Sequence, residues 1–122
     1  MKIDLYEAIG GGSRISAAVA LFYRKVLADS ALKGFFTHAD MNGLQAKQAM
    51  FLSMLIGGEQ RYTGRDIREA HAASRIQGLT DAHFDSLMGH FRAALEEIGV
   101  ESVAVAQIME RLETTRDSVL GR

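Results

Sequence analysis

The sequence predicts an all-α protein, on three observations. No proline interrupts its 122 residues, so nothing removes a backbone donor from a helix interior. Glycines at Gly10-Gly11-Gly12, Gly57-Gly58, Gly64 and Gly78 supply the punctuation instead. Between those breaks, apolar residues recur at helical rather than strand spacing. The length fits one domain over residues 1–122 with a real core; no repeat or linker divides it.

A first short helix covers Leu5 to Ile9. Ser13 has the chemistry of an N-cap for a long helix with the stripe Ile15, Ala18, Val19, Phe22 and Val26, and Tyr23 on its shoulder. "ALKGFFTHADM" reads as a turn of helix or a corner carrying Phe35 and Phe36. The next helix, about Asn42 to Ile56, has the stripe Met41, Leu44, Gln48, Phe51, Leu52, Leu55. After "GGEQRYTGRD" a short helix places Ile67, Ala70, His71 and Ser74 on one side. Thr80 or Asp81 caps a fourth long helix bearing Phe84, Leu87, Met88, Phe91, Leu95 and Ile98. A last helix, about Glu101 to Val119, uses Val105, Ile108, Met109 and Leu112.

Composition excludes several functions. Hydrophobic residues make up 48% and charged residues 24% of the chain, a globular balance. A net charge of -1 without a basic run argues against nucleic acid and lipid surfaces as partners. "MKIDLYEAIGGG" does not read as a secretory signal, and no apolar run is long enough to cross a bilayer; a cytoplasmic location is expected. With no cysteine, disulfides, thiolate metal sites and thioether-linked haem are excluded.

Three polar side chains break the apolar pattern: Tyr23, Gln48 and His71. Each has a plain alternative. A tyrosine at a stripe's edge packs its ring and keeps its hydroxyl wet, a glutamine sits at the core's rim, and most buried histidines are merely packed and hydrogen-bonded. An unpartnered buried amide costs roughly 1–3 kcal/mol, so three such groups on three helices suggest a polar spot inside an apolar pocket. A bare metal site does not suit it: His83 and His90 lie seven residues apart on one helix, about 10 Å along its axis, and no paired-histidine motif occurs. Those two and His38 are expected to be solvated. No hydrolase arrangement is visible. A single neutral imidazole on an apolar face suits haem iron, whose porphyrin supplies the other four ligands. Phe35, Phe36, Phe51, Phe84, Leu55 and Leu87 are candidates to line the crevice.

"LYEAIGG", "FYRKVLAD", "FF…DM", "QAKQAMFL", "GGEQRYTGRDIREAH", "LTDAHFDSLMGHF" and "ALEEIGV" occur in order over nearly the whole chain. In these the sequence resembles the truncated haemoglobins, specifically group I (N). The resemblance implies a two-over-two α-helical sandwich around non-covalent haem b (iron protoporphyrin IX). It implies His71 as proximal iron ligand, Phe36 as the wedge against the haem, and Tyr23 and Gln48 as distal groups beside bound ligand. Leu44 takes the place where larger globins often put a distal histidine. Lys47 implies a contact with a haem propionate; in some relatives a side chain there swings in as sixth ligand. Met41, Leu52, Tyr62, Ile67 and Ala70 complete the implied haem contacts. The other groups place a tryptophan where this chain has Leu87. Two departures stand out: "AASRIQG" after His71 is longer than in short members, and "LETTRDSVL" has no histidine for a covalent haem cross-link.

The resemblance implies reversible binding of O2, NO and CO. It leaves open nitric oxide dioxygenation, with Tyr23 and Gln48 as catalytic groups and a reductase as partner, or oxygen storage, delivery, sensing or electron transfer. Peroxidase chemistry is disfavoured, since the distal side lacks a histidine–arginine pair. Met54, Leu87 and Met88 are bulky enough to narrow a ligand tunnel. A monomer or weak dimer is expected. The rival from another class is a haem-free helical adaptor.

Overall fold

A computed structural model of the chain describes residues 3–57 and 64–122. Helix α1, Leu5–Ile9, starts at Asp4, whose carboxylate accepts from the Glu7 N–H at 3.2 Å. It stops where Gly10 turns left-handed, with φ 105°, and the N–H groups of Gly10 and Gly11 donate to the Glu7 and Tyr6 carbonyls. A Cβ at Gly10 would lie 2.6 Å from Arg14 Cγ, so glycine is needed there for space as well as for φ. The double turn ends so tightly that α2, Gly12–Leu27, starts before Ser13. Ser13 is therefore inside the helix, and the N-cap is Gly11, with no side-chain bond.

The α2 stripe is buried as its spacing predicts: Ile15, Ala18, Val19, Phe22, Tyr23 and Val26 are all inside. Each large apolar side chain so buried is worth roughly 1.5–3 kcal/mol, against tenths for helix propensity, so packing fixes this helix. A 3-10 turn at Lys33–Phe36 forms the corner before α3, Met41–Gly57. Only Leu52 and Ile56 of α3 are fully buried; Met41, Leu44, Gln48, Phe51 and Leu55 are half-buried.

The expected helix around His71 is two helices: α4, Gly64–Ala70, and α5, Ala72–Ile76, with His71 at the break. Gly78, at φ 97°, turns the chain toward α6, Asp81–Glu97. Thr80 is the N-cap, and its box partner is His83: the Thr80 hydroxyl accepts from the His83 N–H, while His83 Nδ1 accepts from the Thr80 N–H at 3.1 Å. The last predicted helix is also divided. Helix α7, Ser102–Glu113, ends where Thr114 and Thr115 turn their hydroxyls back to the Arg111 and Leu112 carbonyls, at 2.6 and 2.7 Å. Such local bonds compete with helix continuation, and α8 resumes at Arg116–Val119.

Helix α2 packs on α3 and α6, and α7 packs on α6, α3 and α1. Four long helices thus form the expected two-over-two sandwich, with no strand among the described residues. The core joins Val19, Phe22, Tyr23, Leu52, Phe91, Leu95, Val105 and Ile108 from all four. Arg111 on α7 donates to the Leu55 and Ile56 carbonyls at 3.0 and 2.8 Å, capping the end of α3. Helix α8 lies against α4. Among the described residues no helix is long and apolar enough to cross a membrane.

Candidate functional site

Tyr23 departs from the plain reading of a tyrosine with a wet hydroxyl. It is 2% exposed, its ring edge-on to Phe22 at 4.8 Å and to Phe36 at 5.8 Å. Its hydroxyl is hydrogen-bonded to the Gln48 side chain. Burial drives the phenol's pKa well above its ordinary 10, and the Gln48 bond only partly offsets this. Tyr23 is thus a neutral donor held in place on two sides by aromatic rings.

The α3 side chains Met41, Leu44 and Leu55 pack half-buried against the core, as do Phe35, Phe36 and Leu87. Leu52 is fully buried, and Phe51 is half-buried. More of α3's apolar surface is therefore available than helix contacts cover. Phe84 is 2% exposed but lies outside the main cluster, under the Arg116 guanidinium, 4.5 Å from its ring centroid. Ala70 and Lys47 are exposed; Ile67 is half-buried. Tyr62 lies outside the described residues. Met88, expected at a tunnel, lines an open groove between α6 and α7 with Arg92, Met109 and Glu110. None of the expected haem contacts lines that groove.

His71 is half-buried at the α4–α5 break, with φ −104° and ψ 7°. Its Nδ1 meets the Ile67 carbonyl at 2.8 Å. A carbonyl only accepts, so Nδ1 carries the proton and Nε2 keeps its lone pair. Burial lowers the imidazole's pKa below 6.5, the Arg75 charge acts the same way, and the Ile67 bond opposes both. At neutral pH the ring is an uncharged, oriented nitrogen donor.

The other histidines behave differently from expectation, except His38, which is exposed. His83 is half-buried in the capping box and edge-on to Phe35 at 5.1 Å. His90 Nε2 pairs with Asp29 Oδ2 at 2.8 Å, both part-buried, tying α6 to the end of α2. Among the described residues no three His, Asp or Glu side chains converge to hold an ion by themselves. A porphyrin-held iron needs only what is here: one neutral imidazole with its second nitrogen anchored, apolar and aromatic walls, and neutral donors. The residues present fit haem.

Sequence reasoning missed the backbone role of Ile67, the capping by Arg111 and the two carbonyl bonds of Arg75. Only the first had a local signal, the four-residue spacing to His71.

The class defined by this fold and these residues is a two-over-two helical globin. The bacterial-like globin family model matches residues 4–120. The Group 1 truncated hemoglobin of Tetrahymena pyriformis is 40% identical over 118 residues, 97% of this chain and 95% of that protein. That of Synechocystis is 39% identical over 105 residues, 85% of each chain. The Tetrahymena pyriformis crystal structure in the Fe(III) form superposes with a TM-score of 0.84 at 39% identity, covering 97% of this chain and 98% of that one. The 2/2 hemoglobin from Synechococcus, in the cyanomet state with covalently attached heme, gives 0.89 at 34%, covering 98% and 100%. This chain belongs to the bacterial-like globin family and, within it, to the group 1 truncated haemoglobins. The Tetrahymena pyriformis structures include variants at a tyrosine and at glutamines twenty-one and twenty-five residues beyond it. The same intervals from Tyr23 lead here to Leu44 and Gln48.

Proposed function

We propose that this chain binds haem b non-covalently through His71 and, through that haem, reversibly binds dioxygen, nitric oxide and carbon monoxide. The observation that carries the reading is the bond from His71 Nδ1 to the Ile67 carbonyl, which leaves Nε2 as the free donor. Haem held by His71 would supply an iron able to take up a diatomic ligand. Phe36, Met41, Leu44, Phe51, Leu52, Leu55 and Leu87 would enclose its apolar ring, and Phe35, Ile67, Ala70 and Phe84 would complete the crevice; Tyr62, expected there from the sequence, lies outside the described residues. Lys47, exposed on α3, is assigned to a propionate rather than to iron.

Tyr23 and Gln48 serve the ligand. A neutral hydroxyl and an amide, fixed before binding, stabilise negative charge developing on a diatomic molecule without reorganisation. The same two groups would support conversion of nitric oxide and dioxygen to nitrate, an activity that needs an external reductase.

The test is reconstitution with hemin and optical spectra of wild type, His71→Gly and Lys47→Ala. A five-coordinate ferrous spectrum, lost in His71→Gly and unchanged in Lys47→Ala, is expected. A protein that stays colourless after hemin would favour the adaptor; a low-spin species lost in Lys47→Ala would make that lysine the sixth ligand. Rapid mixing with nitric oxide, with a reductant present, separates turnover from storage or sensing.

A further inference from the structure

We propose that Arg75 is a positioning residue for the His71 imidazole, acting by locking the carboxy-terminal end of α4 onto α8. This rests on His71 being the iron ligand. The last carbonyls of a helix have no partner within it. On α4, two consecutive ones are taken by side chains at and beyond the break: His71 Nδ1 donates to the Ile67 carbonyl at 2.8 Å, and Arg75 Nη1 donates to the Arg68 carbonyl at 2.7 Å. The direction of the Ile67 carbonyl sets the plane of the imidazole, and the adjoining peptide is held by Arg75.

The same Nη1 also donates to the Val119 carbonyl at 3.1 Å, so one guanidinium joins α4, α5 and α8. Arg75 returns to the break through its own N–H, which donates to the His71 carbonyl at 3.1 Å. The chain closes tightly over this side chain. Gly121 has φ 76°, and a Cβ there would stand 2.7 Å from Arg75 Nε. Helix α8 is fixed in turn by Arg116, bonded to Asp81 at 3.0 Å and to Glu113 at 2.6 Å. A planar guanidinium with several fixed donors can hold two carbonyls at once, where an ammonium holds them less rigidly. The position after the break thus carries a specific clamp rather than a solvated charge.

The experiment compares full-length wild type, Arg75→Gln, Arg75→Lys and Gly121→Ala. In the hemin-reconstituted ferrous proteins, resonance Raman reads the iron–histidine stretch. The band is expected to shift and broaden in Arg75→Gln and Gly121→Ala, and to return toward wild type in Arg75→Lys. In the haem-free proteins, amide exchange over residues 67–76 is expected to quicken about tenfold in Arg75→Gln, as local opening becomes easier. A wild-type band matched in position and width by Arg75→Gln overturns the proposal even if exchange quickens, because Arg75 then stabilises the segment without orienting the ring. Absence of the band from wild type is failure of the haem reading; unchanged exchange in Arg75→Gln would then overturn the clamp on its own.

Discussion

The side chains of Tyr23 and Gln48 are hydrogen-bonded to each other where α2 packs on α3. The bond counteracts the upward drive that burial exerts on the phenol's pKa. A phenol hydroxyl can donate as well as accept. A bound diatomic ligand is the acceptor that the proposed function supplies.

Tyr23→Phe keeps the ring between Phe22 and Phe36 and removes only the donor. One hydrogen bond of this kind contributes on the order of 1 kcal/mol, so dioxygen release should quicken roughly five- to tenfold. Stopped-flow displacement by carbon monoxide measures it. A release rate equal to wild type would take the hydroxyl out of ligand stabilisation.

The pair should also be coupled without ligand. In a double-mutant cycle of Tyr23→Phe and Gln48→Leu, read by urea unfolding of the haem-free protein, the non-additive part should be about 0.5–1.5 kcal/mol. Strict additivity would mean the two groups bond to water rather than to each other.

What the sequence revealed and what it hid divide along local and distant chemistry. The α2 stripe and the half-buried Gln48 follow from periodicity, because one helix face decides burial. Helix ends were less legible. Ser13 has a capping side chain, but the backbone turn at Gly10 and Gly11 starts the helix before it. Thr114 and Thr115 end α7 with hydroxyl bonds that a periodic apolar pattern does not register. Asp29 with His90, and Arg111 with the Leu55 and Ile56 carbonyls, are far apart in sequence. Nothing local marks those pairs, since only packing of finished helices brings them together.

Asp29 gives a pH-dependent prediction. The His90 bond, then the Ala31 N–H, hold its carboxyl below the ordinary 3.8. A depressed folded pKa means stability that is present above the unfolded value and lost as pH falls through the folded one. Asp29→Asn should therefore be less stable than wild type near pH 6, with the gap narrowing below about pH 4. Urea midpoints at the two pH values test it. A gap that stays constant into acid would remove the ionised carboxylate from the account.

Arg111 tests how firmly α3 is held. Its guanidinium supplies the donor for two carbonyls at the end of that helix, where a positive charge also favours the helix dipole. Arg111→Ala leaves these carbonyls to solvent and should cost about 1–3 kcal/mol in urea unfolding. Arg111→Lys should recover part of this, since charge is kept and the fork geometry is lost. Because α3 carries Gln48, a loosened end should also raise dioxygen release, though less than Tyr23→Phe, which deletes a donor outright. If Arg111→Ala unfolds at the wild-type midpoint, the cap is a surface contact and α3 is fixed by the burial of Leu52 and Ile56 alone.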